Sequence, residues 1–142
     1  MKKREGFIMI FIFIIFTISL IIGIAIQFVA LSNLKQIKNQ ENNIKAYYLA
    51  YSGAEIAYAA LLKPDSKGNK KIDSYNNSII NPEPINLDFD EDGIDDVSIK
   101  IKYDKEKDTI FIESIGILND GDKTYTLNMS FSKQYPEIKL WE

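Results

Sequence analysis

The 142-residue chain contains no cysteine and no histidine. Without cysteine no disulfide can stabilise it, so a small domain must rely on its hydrophobic core or on a metal. Without histidine, serine–histidine catalysis and zinc sites with histidine ligands are excluded. Carboxylate or Ser/Lys chemistry remains, but no serine lies in a recognisable nucleophile motif. The composition therefore favours a structural or binding protein over an enzyme.

Basic residues are also in the minority. The chain has 17 Lys and Arg against 20 Asp and Glu, and residues 7–142 alone carry a net charge of −5. A broad nucleic-acid-binding surface shows an excess of basic residues. On this balance no contact with nucleic acid is evident.

An uncharged apolar run of 24 residues extends from Phe7 to Ala30. At about 1.5 Å per residue it spans a bilayer core of roughly 30 Å. It is longer than the apolar region of a cleaved signal peptide, and no Ala-x-Ala-like cleavage site follows it. Three basic residues precede it, which places the N-terminus in the cytoplasm. The sequence predicts a single-pass protein with residues 7–31 in the membrane and residues 32–142 outside the cytoplasm.

The following stretch is predicted to continue this helix in amphipathic form. Its apolar residues recur at spacings of three, four or seven: Leu34, Ile37, Ile44, Tyr48, Tyr51, Tyr58 and Leu62. Lys63-Pro64 ends the helix, because proline disfavours helical geometry in the residue before it. Gly23 and Gly53 are the expected points of bending or close packing. For the tyrosines at 47, 48, 51 and 58 we expect core packing, with ligand stacking as the alternative.

The spacing of the apolar residues then changes from a helical period to strict alternation with polar residues. Residues 64–87 are rich in Asp, Ser, Asn, Gly and Pro and predict a loop. Apolar residues alternate with polar ones over 97–104 and 125–131, and residues 109–118 form a third apolar run. DKEKD at 104–108 and NDGD at 119–122 are the expected turns. The predicted fold is α+β: a long N-terminal helix packed on a small antiparallel meander.

The N-terminal stretch KKREG, followed by an aromatic residue and an apolar run, resembles the leader of type IV prepilins and pseudopilins. The resemblance implies a pilin-like fold and cleavage by prepilin peptidase between Gly6 and Phe7. Residues 1–6 are then the leader, and Phe7 is the new, methylated N-terminus. A plain signal anchor is the alternative.

The stretch NLKQIKNQENNIKAYYLAYSGAEIAYAAL resembles the helix of PilX-like minor pilins. The matching residues are Tyr48, Leu49, Ala50, Gly53 and Glu55. The resemblance implies that Gly53 and Glu55 contribute to helix packing, and that the partners are the major pilin and other minor pilins. The implied location is the cytoplasmic membrane and then an extracellular or periplasmic filament.

The fifth residue counted from Phe7 is Phe11, where most major pilins carry Glu. In that family the glutamate is thought to pair with the N-terminal amine of a neighbouring subunit. A charge in the membrane is kept only where it has a partner and a task. The absence of the acid indicates a subunit at the tip that initiates the filament, or a subunit held by apolar helix packing alone.

The acidic stretch DFDEDGIDD, residues 88–96, has the spacing of a short calcium loop. Asp88, Asp90, Asp92 and Asp96 occupy positions one, three, five and nine, and the Ile94 carbonyl occupies position seven. Position twelve is Ile99 in place of Glu, so the match to an EF-hand is partial. A Ca²⁺ site of weak affinity is the prediction, and a solvated acidic loop is the alternative.

Two functions remain open from the sequence. The first is a minor pilin or pseudopilin, a structural subunit without catalytic activity. The second is a membrane-anchored binding module that never enters a filament and whose calcium loop supports a ligand site.

Overall fold

In a computed structural model of the chain, residues 2–64, 66–74, 83–118 and 123–142 are described, residues 2–6 and 74 as backbone only. Helix α1 spans Lys2–Leu62 and a single 3-10 turn spans Lys71–Ser74. Five strands follow: β1 (Ile85–Leu87), β2 (Val97–Asp104), β3 (Thr109–Leu118), β4 (Lys123–Ser132) and β5 (Lys139–Trp141). The predicted turn at 119–122 lies outside the described residues, as do 65 and 75–82 of the predicted loop.

The chain divides into two compact units, residues 1–40 and residues 41–142. All described residues of the first unit, 2–40, belong to α1. In this unit the side chains from Phe7 onward are exposed, and α1 contains a stretch long and apolar enough to cross a membrane. The length and composition of this helix are consistent with membrane anchoring.

The second unit contains the sheet, whose strands lie in the order β1-β2-β3-β4-β5 with every neighbouring pair antiparallel. The α+β prediction is confirmed: the long helix packs on an antiparallel meander, which has five strands where the sequence indicated three. Within the described residues, the stretch 83–87 that we expected to be loop contains β1. Both added strands are three residues long and lie at the edges of the sheet.

One face of the sheet is buried against the last turns of α1, from Ala46 to Leu61. The alternating residues of β2, β3 and β4 supply most of this core: Val97, Ile99, Ile101, Tyr103, Ile110, Ile112, Leu127, Met129 and Phe131. Helix α1 ends at Leu62, where Lys63-Pro64 predicts its end. Its last turns run beside the sheet, so one sheet face and one helix face bury each other.

The helix face that meets the sheet differs from the predicted stripe. It is formed by small residues and one leucine: Ala46, Ala50, Ala54, Ala57 and Leu61. The larger residues Leu34, Ile37, Ile44, Tyr48 and Tyr51 are exposed, and only Tyr58 and Leu62 of that stripe pack against the core. The prediction was wrong because alanines allow the two backbones to approach closely, which a face of Ile and Tyr does not.

Two glycines permit this approach. A Cβ atom on Gly53 in α1 would meet Cγ1 of Val97 and would lie 2.6 Å from Oγ of Ser114. A Cβ atom on Gly116 in β3 would meet the Ala46 carbonyl and would lie 2.7 Å from the Ala50 nitrogen. The helix and the sheet are therefore in backbone contact at Gly116.

Candidate functional site

The acidic loop between β1 and β2 brings three carboxylates together. One oxygen each from Asp88, Asp90 and Asp96 lies within 4.8 Å of the other two. Asp90 is exposed, and Asp88 and Asp96 are half-buried. Six acids in nine residues repel one another in the absence of a cation, so this arrangement stores electrostatic repulsion at neutral pH.

Backbone hydrogen bonds hold the loop in this shape. The Asp88 carboxylate accepts from the Glu91 and Gly93 amides, each at 2.8 Å, and the Asp96 carboxylate accepts from the Phe89 amide at 2.8 Å. Gly93 has a φ angle of 89°, a left-handed conformation that glycine adopts without strain. The turn that the sequence requires at Gly93 is therefore present.

The ends of the loop are tied to the sheet. The Asp96 amide donates to the Leu87 carbonyl at 2.9 Å, and the Ile117 amide donates to the Asp96 carbonyl at 2.7 Å. Strands β1 and β3 thereby fix the position of Asp96 from both sides. Asp96 is thus a predicted ligand whose backbone is hydrogen-bonded to both β1 and β3.

The structure does not bring all five predicted ligands to one centre. The Asp92 carboxylate accepts from the Ile94 amide at 2.8 Å and lies outside the group formed by Asp88, Asp90 and Asp96. The Ile94 side chain is exposed. As the loop stands, three carboxylates converge, and a cation bound there would take its remaining oxygen ligands from backbone carbonyls and water.

Two of the converging carboxylates differ in acidity. The hydrogen bond from the Gly93 amide lowers the pKa of Asp88 below its usual value. Partial desolvation, followed by the negative charge of Asp92, raises the pKa of Asp90. A divalent cation among them favours the ionised form of both groups, which links its binding to proton release.

The two helix residues that the sequence analysis assigned to packing, Gly53 and Glu55, have contacts within the chain. Gly53 packs against β2 and β3, as described above. The Glu55 carboxylate accepts from Nζ of Lys139 in β5, with both oxygens at 2.8 Å. Nζ of Lys139 also lies 4.0 Å from the ring centroid of Tyr58, and the Tyr58 hydroxyl donates to the Pro136 carbonyl at 3.0 Å. Glu55 and Tyr58 thus hold the C-terminal segment on the helix.

The tyrosines of α1 fall into two groups. Tyr47 and Tyr58 pack against the core, and Tyr58 meets the Phe131 ring edge to face at 5.1 Å. Tyr48 is exposed, and Tyr51 is exposed and stacks on Trp141 at 5.0 Å. Core packing therefore holds for two of the four. The contact between Tyr51 and Trp141 had no signal in the sequence, because 90 positions separate the two residues.

The residues of the predicted processing site lie in the first unit. Gly6 is within α1, and Phe7 and Phe11 are exposed helical residues with exposed fractions of 74% and 57%. The first acidic residue after Gly6 is Glu41, so no carboxylate occurs within the apolar segment. In this structure Phe7 and Phe11 contribute apolar surface to the helix.

The fold defines a class of protein in which an α+β domain follows an N-terminal helix of membrane-spanning length. Comparisons of the chain with protein-family models, with curated proteins and with solved structures found no match.

Proposed function

We propose that this chain is a minor pilin or pseudopilin, a structural subunit for assembly or initiation of a type IV pilus-like filament. One observation carries the proposal. The same helix supplies an exposed apolar segment of membrane-spanning length and, further along, the alanine face that covers an antiparallel sheet. This division of one helix between membrane and domain resembles the architecture of pilins.

The leader-like sequence supports the same function. Cleavage by prepilin peptidase between Gly6 and Phe7 would remove Glu5 and the three basic residues and leave the apolar helix in the membrane. The subunit would then carry its only remaining N-terminal charge on the Phe7 amine. The domain after residue 31 would face the outside of the cytoplasm, as the positive-inside rule indicates.

Intact-mass analysis of the membrane protein tests the proposal. A chain that begins at N-methylated Phe7, formed only in cells that contain prepilin peptidase, is the expected result. Gly6→Val should block the cleavage. Gly23→Ala is the matched control, since a Cβ atom there meets no other atom within 4 Å. An uncleaved chain in peptidase-containing cells contradicts the pilin assignment and favours the anchored binding module.

We further propose that the acidic loop binds Ca²⁺ weakly through Asp88, Asp90 and Asp96. Calcium prefers carboxylate and carbonyl oxygens, and an extracytoplasmic location supplies millimolar calcium, which matches a site of low affinity. Bound calcium would relieve the repulsion among the acids and stiffen the connection between β1 and β2. The role proposed for the ion is structural.

The position of the subunit in the filament is proposed from Phe11. A joining subunit that uses a fifth-position carboxylate must find the amine of a subunit already in place. The first subunit has no such partner, so Phe11 is tolerated there, while its own Phe7 amine still receives the next subunit. The chain is accordingly proposed to act at the tip with the major pilin and other minor pilins behind it.

Labelling and deletion test the tip position. Deletion of the gene should reduce the number of filaments sharply at unchanged major-pilin levels, and labelled protein should appear at one end of each filament. Label distributed along the shafts rules the tip position out. It would leave the apolar packing of Phe11 as the explanation for the missing acid.

A further inference from the structure

The outer edge of strand β4 is only partly covered. Strand β5 pairs with β4 at residues 129–131, and the Asn128 amide donates to the main-chain oxygen of Glu142 at 2.9 Å. Among the described residues, none pairs with the outer side of β4 over residues 123–127. The side chains of Thr124, Tyr125 and Thr126 are exposed in this stretch. Residues 123–127 therefore form an open β4 edge.

The backbone groups that face outward along the open β4 edge follow from the contact at Asn128. In an antiparallel sheet, successive residues direct their N–H and C=O groups to opposite sides of the strand. Asn128 points toward β5, so Thr126 and Thr124 point the same way, whereas Tyr125 and Leu127 point toward β3. Among the described residues, the outward N–H and C=O groups of Thr124 and Thr126 have no backbone partner. They have the spacing that a further strand requires.

The open β4 edge lacks the features that prevent strand addition in many proteins. Its central residues, Thr124, Tyr125 and Thr126, are of types with high β-propensity, and no proline or charged residue lies among them. The corresponding open stretch of β2, beyond its pairing with β1, carries Lys100 and Lys102. Charged residues on an edge act against pairing. The edge of β4 is therefore the better suited of the two to accept a strand.

Exposed aromatic rings lie beside the open β4 edge on the helix face of the sheet. The Tyr125 ring meets the Tyr47 ring edge to face at 5.2 Å, and the Tyr51 ring stacks on Trp141 at 5.0 Å. The centroids of Tyr47 and Tyr51 are 6.3 Å apart, so the four rings form one continuous aromatic group. Three of them, Tyr51, Tyr125 and Trp141, are exposed. Exposed aromatic surface of this kind is typical of protein-binding sites.

The register of the sheet places the side chains of an added strand against this aromatic group. Trp141 lies opposite Met129 and projects to the helix face, as its contact with Tyr51 shows. In a strand that continues the line of β5, the residues opposite Leu127 and Tyr125 project to the same face, because side chains alternate along a strand. Apolar residues at these positions would cover exposed ring surface. The residues between them would face the outer side of the sheet.

We propose that the open β4 edge binds an extended segment of another polypeptide by antiparallel strand addition. In this segment apolar residues, which pack on the aromatic group, alternate with small polar residues, which face outward beside Thr124 and Thr126. The unpaired backbone groups select a peptide backbone, and the exposed rings select the apolar side chains. Both parts of the site lie in the unit of residues 41–142.

The occupant is a segment of a different protein and not a second copy of this chain. Antiparallel pairing of two β4 edges would point the two α1 helices in opposite directions, whereas chains anchored by α1 in one membrane point the same way. Pairing with the β2 edge of a copy would bring Lys100 and Lys102 to the contact. Strand addition requires neither cleavage before Phe7 nor entry into a filament, so it stands or falls apart from the proposed function.

Tryptophan fluorescence of the full chain in nonionic detergent tests this site. Trp141 is the only tryptophan of the chain, and its ring belongs to the aromatic group beside the open β4 edge. The probe is the capped peptide acetyl-Leu-Thr-Leu-Thr-Leu-Lys-Lys-amide, which contains no aromatic residue. Its titration should shift the Trp141 emission to shorter wavelength in a saturable manner, because the bound leucines displace water from the ring.

Two N-methylated probes with the same side chains separate backbone pairing from apolar adhesion. In the antiparallel register, the threonine amides of the probe face β4 and the leucine amides face away from it. Methylation of both threonine amides should lower the affinity at least tenfold. Methylation of the second and third leucine amides should leave it within about twofold. Equal losses from the two methylated probes would overturn strand addition.

The matched variants of the chain are Thr126→Pro and Thr126→Ala. Proline removes the outward N–H and is compatible with edge strands, whereas alanine removes the side chain and keeps the N–H. The affinity for the unmethylated probe should fall about fivefold or more in Thr126→Pro and stay within about twofold of wild type in Thr126→Ala. Circular dichroism checks that each variant is folded, and the methylated probes test the same contact on the unaltered chain. Equal affinities of the two variants would contradict the proposal.

Two further results would overturn it. One is the absence of a saturable emission shift in the wild-type chain. The other is a concentration-dependent dimer in sedimentation velocity that Thr126→Pro abolishes, which would assign the open β4 edge to a second copy. A chain that sediments as a monomer and binds the probe supports the proposal.

Discussion

Replacement of Gly116 by alanine should destabilise the domain more than the same replacement at Gly53. The new Cβ atom would meet the Ala46 carbonyl, would lie 2.7 Å from the Ala50 nitrogen and 3.0 Å from Cβ of Leu49. The first two atoms belong to the helix backbone, which cannot rotate away as a side chain can. The helix itself must move.

The size of the effect follows from that movement. Ordinary contact begins at about 3.4 Å, so clearing the Ala50 nitrogen alone requires a retreat of roughly 0.7 Å, and the nearer Ala46 carbonyl requires more. A gap of 0.5–1 Å removes about a quarter to a half of the dispersion energy of each contact that opens. The retreat opens contacts along the whole alanine face, including Ala54 and Ala57. We expect a loss of about 3 kcal/mol or more, of which alanine's better strand propensity restores at most about 1 kcal/mol.

Thermal unfolding of the full chain in detergent, followed by circular dichroism, measures the effect. About 3 kcal/mol corresponds to a decrease in Tm of more than about 10 °C for a domain of this size. Gly53→Ala is the comparison, because its new Cβ atom meets side-chain atoms, Cγ1 of Val97 and Oγ of Ser114. After the effect of Ser114→Ala alone is subtracted, this second substitution should relieve part of the Gly53→Ala effect and none of the Gly116→Ala effect. A Gly116→Ala chain that melts within about 1 °C of wild type would refute the backbone contact.

Three further outcomes are expected. Ser114→Ala alone should stabilise the domain by about 0.5–2 kcal/mol in denaturant titration, since the Ser114 hydroxyl is buried without a hydrogen-bond partner among the described residues; a loss of stability would contradict this. Lys139→Met should lower the stability of the domain by about 1 kcal/mol, and by less at high salt, because it removes the contact with Glu55. Lys45→Met, which removes an exposed ion pair, should have no measurable effect on stability. Equal losses of stability in the two variants would argue against the Glu55 contact. Millimolar Ca²⁺ should raise Tm relative to EDTA in wild type and in Glu91→Gln but not in Asp90→Asn, and identical melting curves with no heat on titration would exclude the calcium site.

The three long strands were predictable because each extends over eight to ten residues and buries side chains at alternate positions. Val97, Ile99, Ile101 and Tyr103 alternate with polar neighbours, and the period of two identifies the strand without further information. Strands β1 and β5 contain three residues each, too few for a period to be recognised. Their existence depends on hydrogen bonds from β2 and β4, which sequence periodicity does not report.

The helix face was mispredicted for a different reason. Apolar periodicity weights Ile44 and Tyr48 above Ala46 and Ala50, because larger side chains bury more area. The sheet instead selects the face that allows the closest approach, and the relevant signal is the pairing of small residues on α1 with Gly116 on β3. That pairing joins positions far apart in the chain, so local periodicity does not detect it.

The acidic loop was predictable in part. The spacing of Asp88, Asp90 and Asp96 predicts that their carboxylates share one centre. The loop reaches this shape because Gly93 allows the turn and the strands fix both ends. Asp92 has the spacing of a ligand, but its carboxylate accepts a hydrogen bond from the Ile94 amide instead of joining the other three. The spacing of the residues does not determine which of these two contacts forms. The partner of Glu55 lies 84 positions away and had no local signal.

The short edge strands have a consequence for the two outer edges of the sheet. Strand β1 pairs with β2 only at residues 97–99, and β5 pairs with β4 only at residues 129–131, so among the described residues 100–104 of β2 and 123–127 of β4 have no strand beside them on the outer side. A long open edge invites a strand from a neighbouring molecule. The two open stretches therefore leave room for a strand from a second molecule, and on β2 the charged side chains of Lys100 and Lys102 act against such pairing.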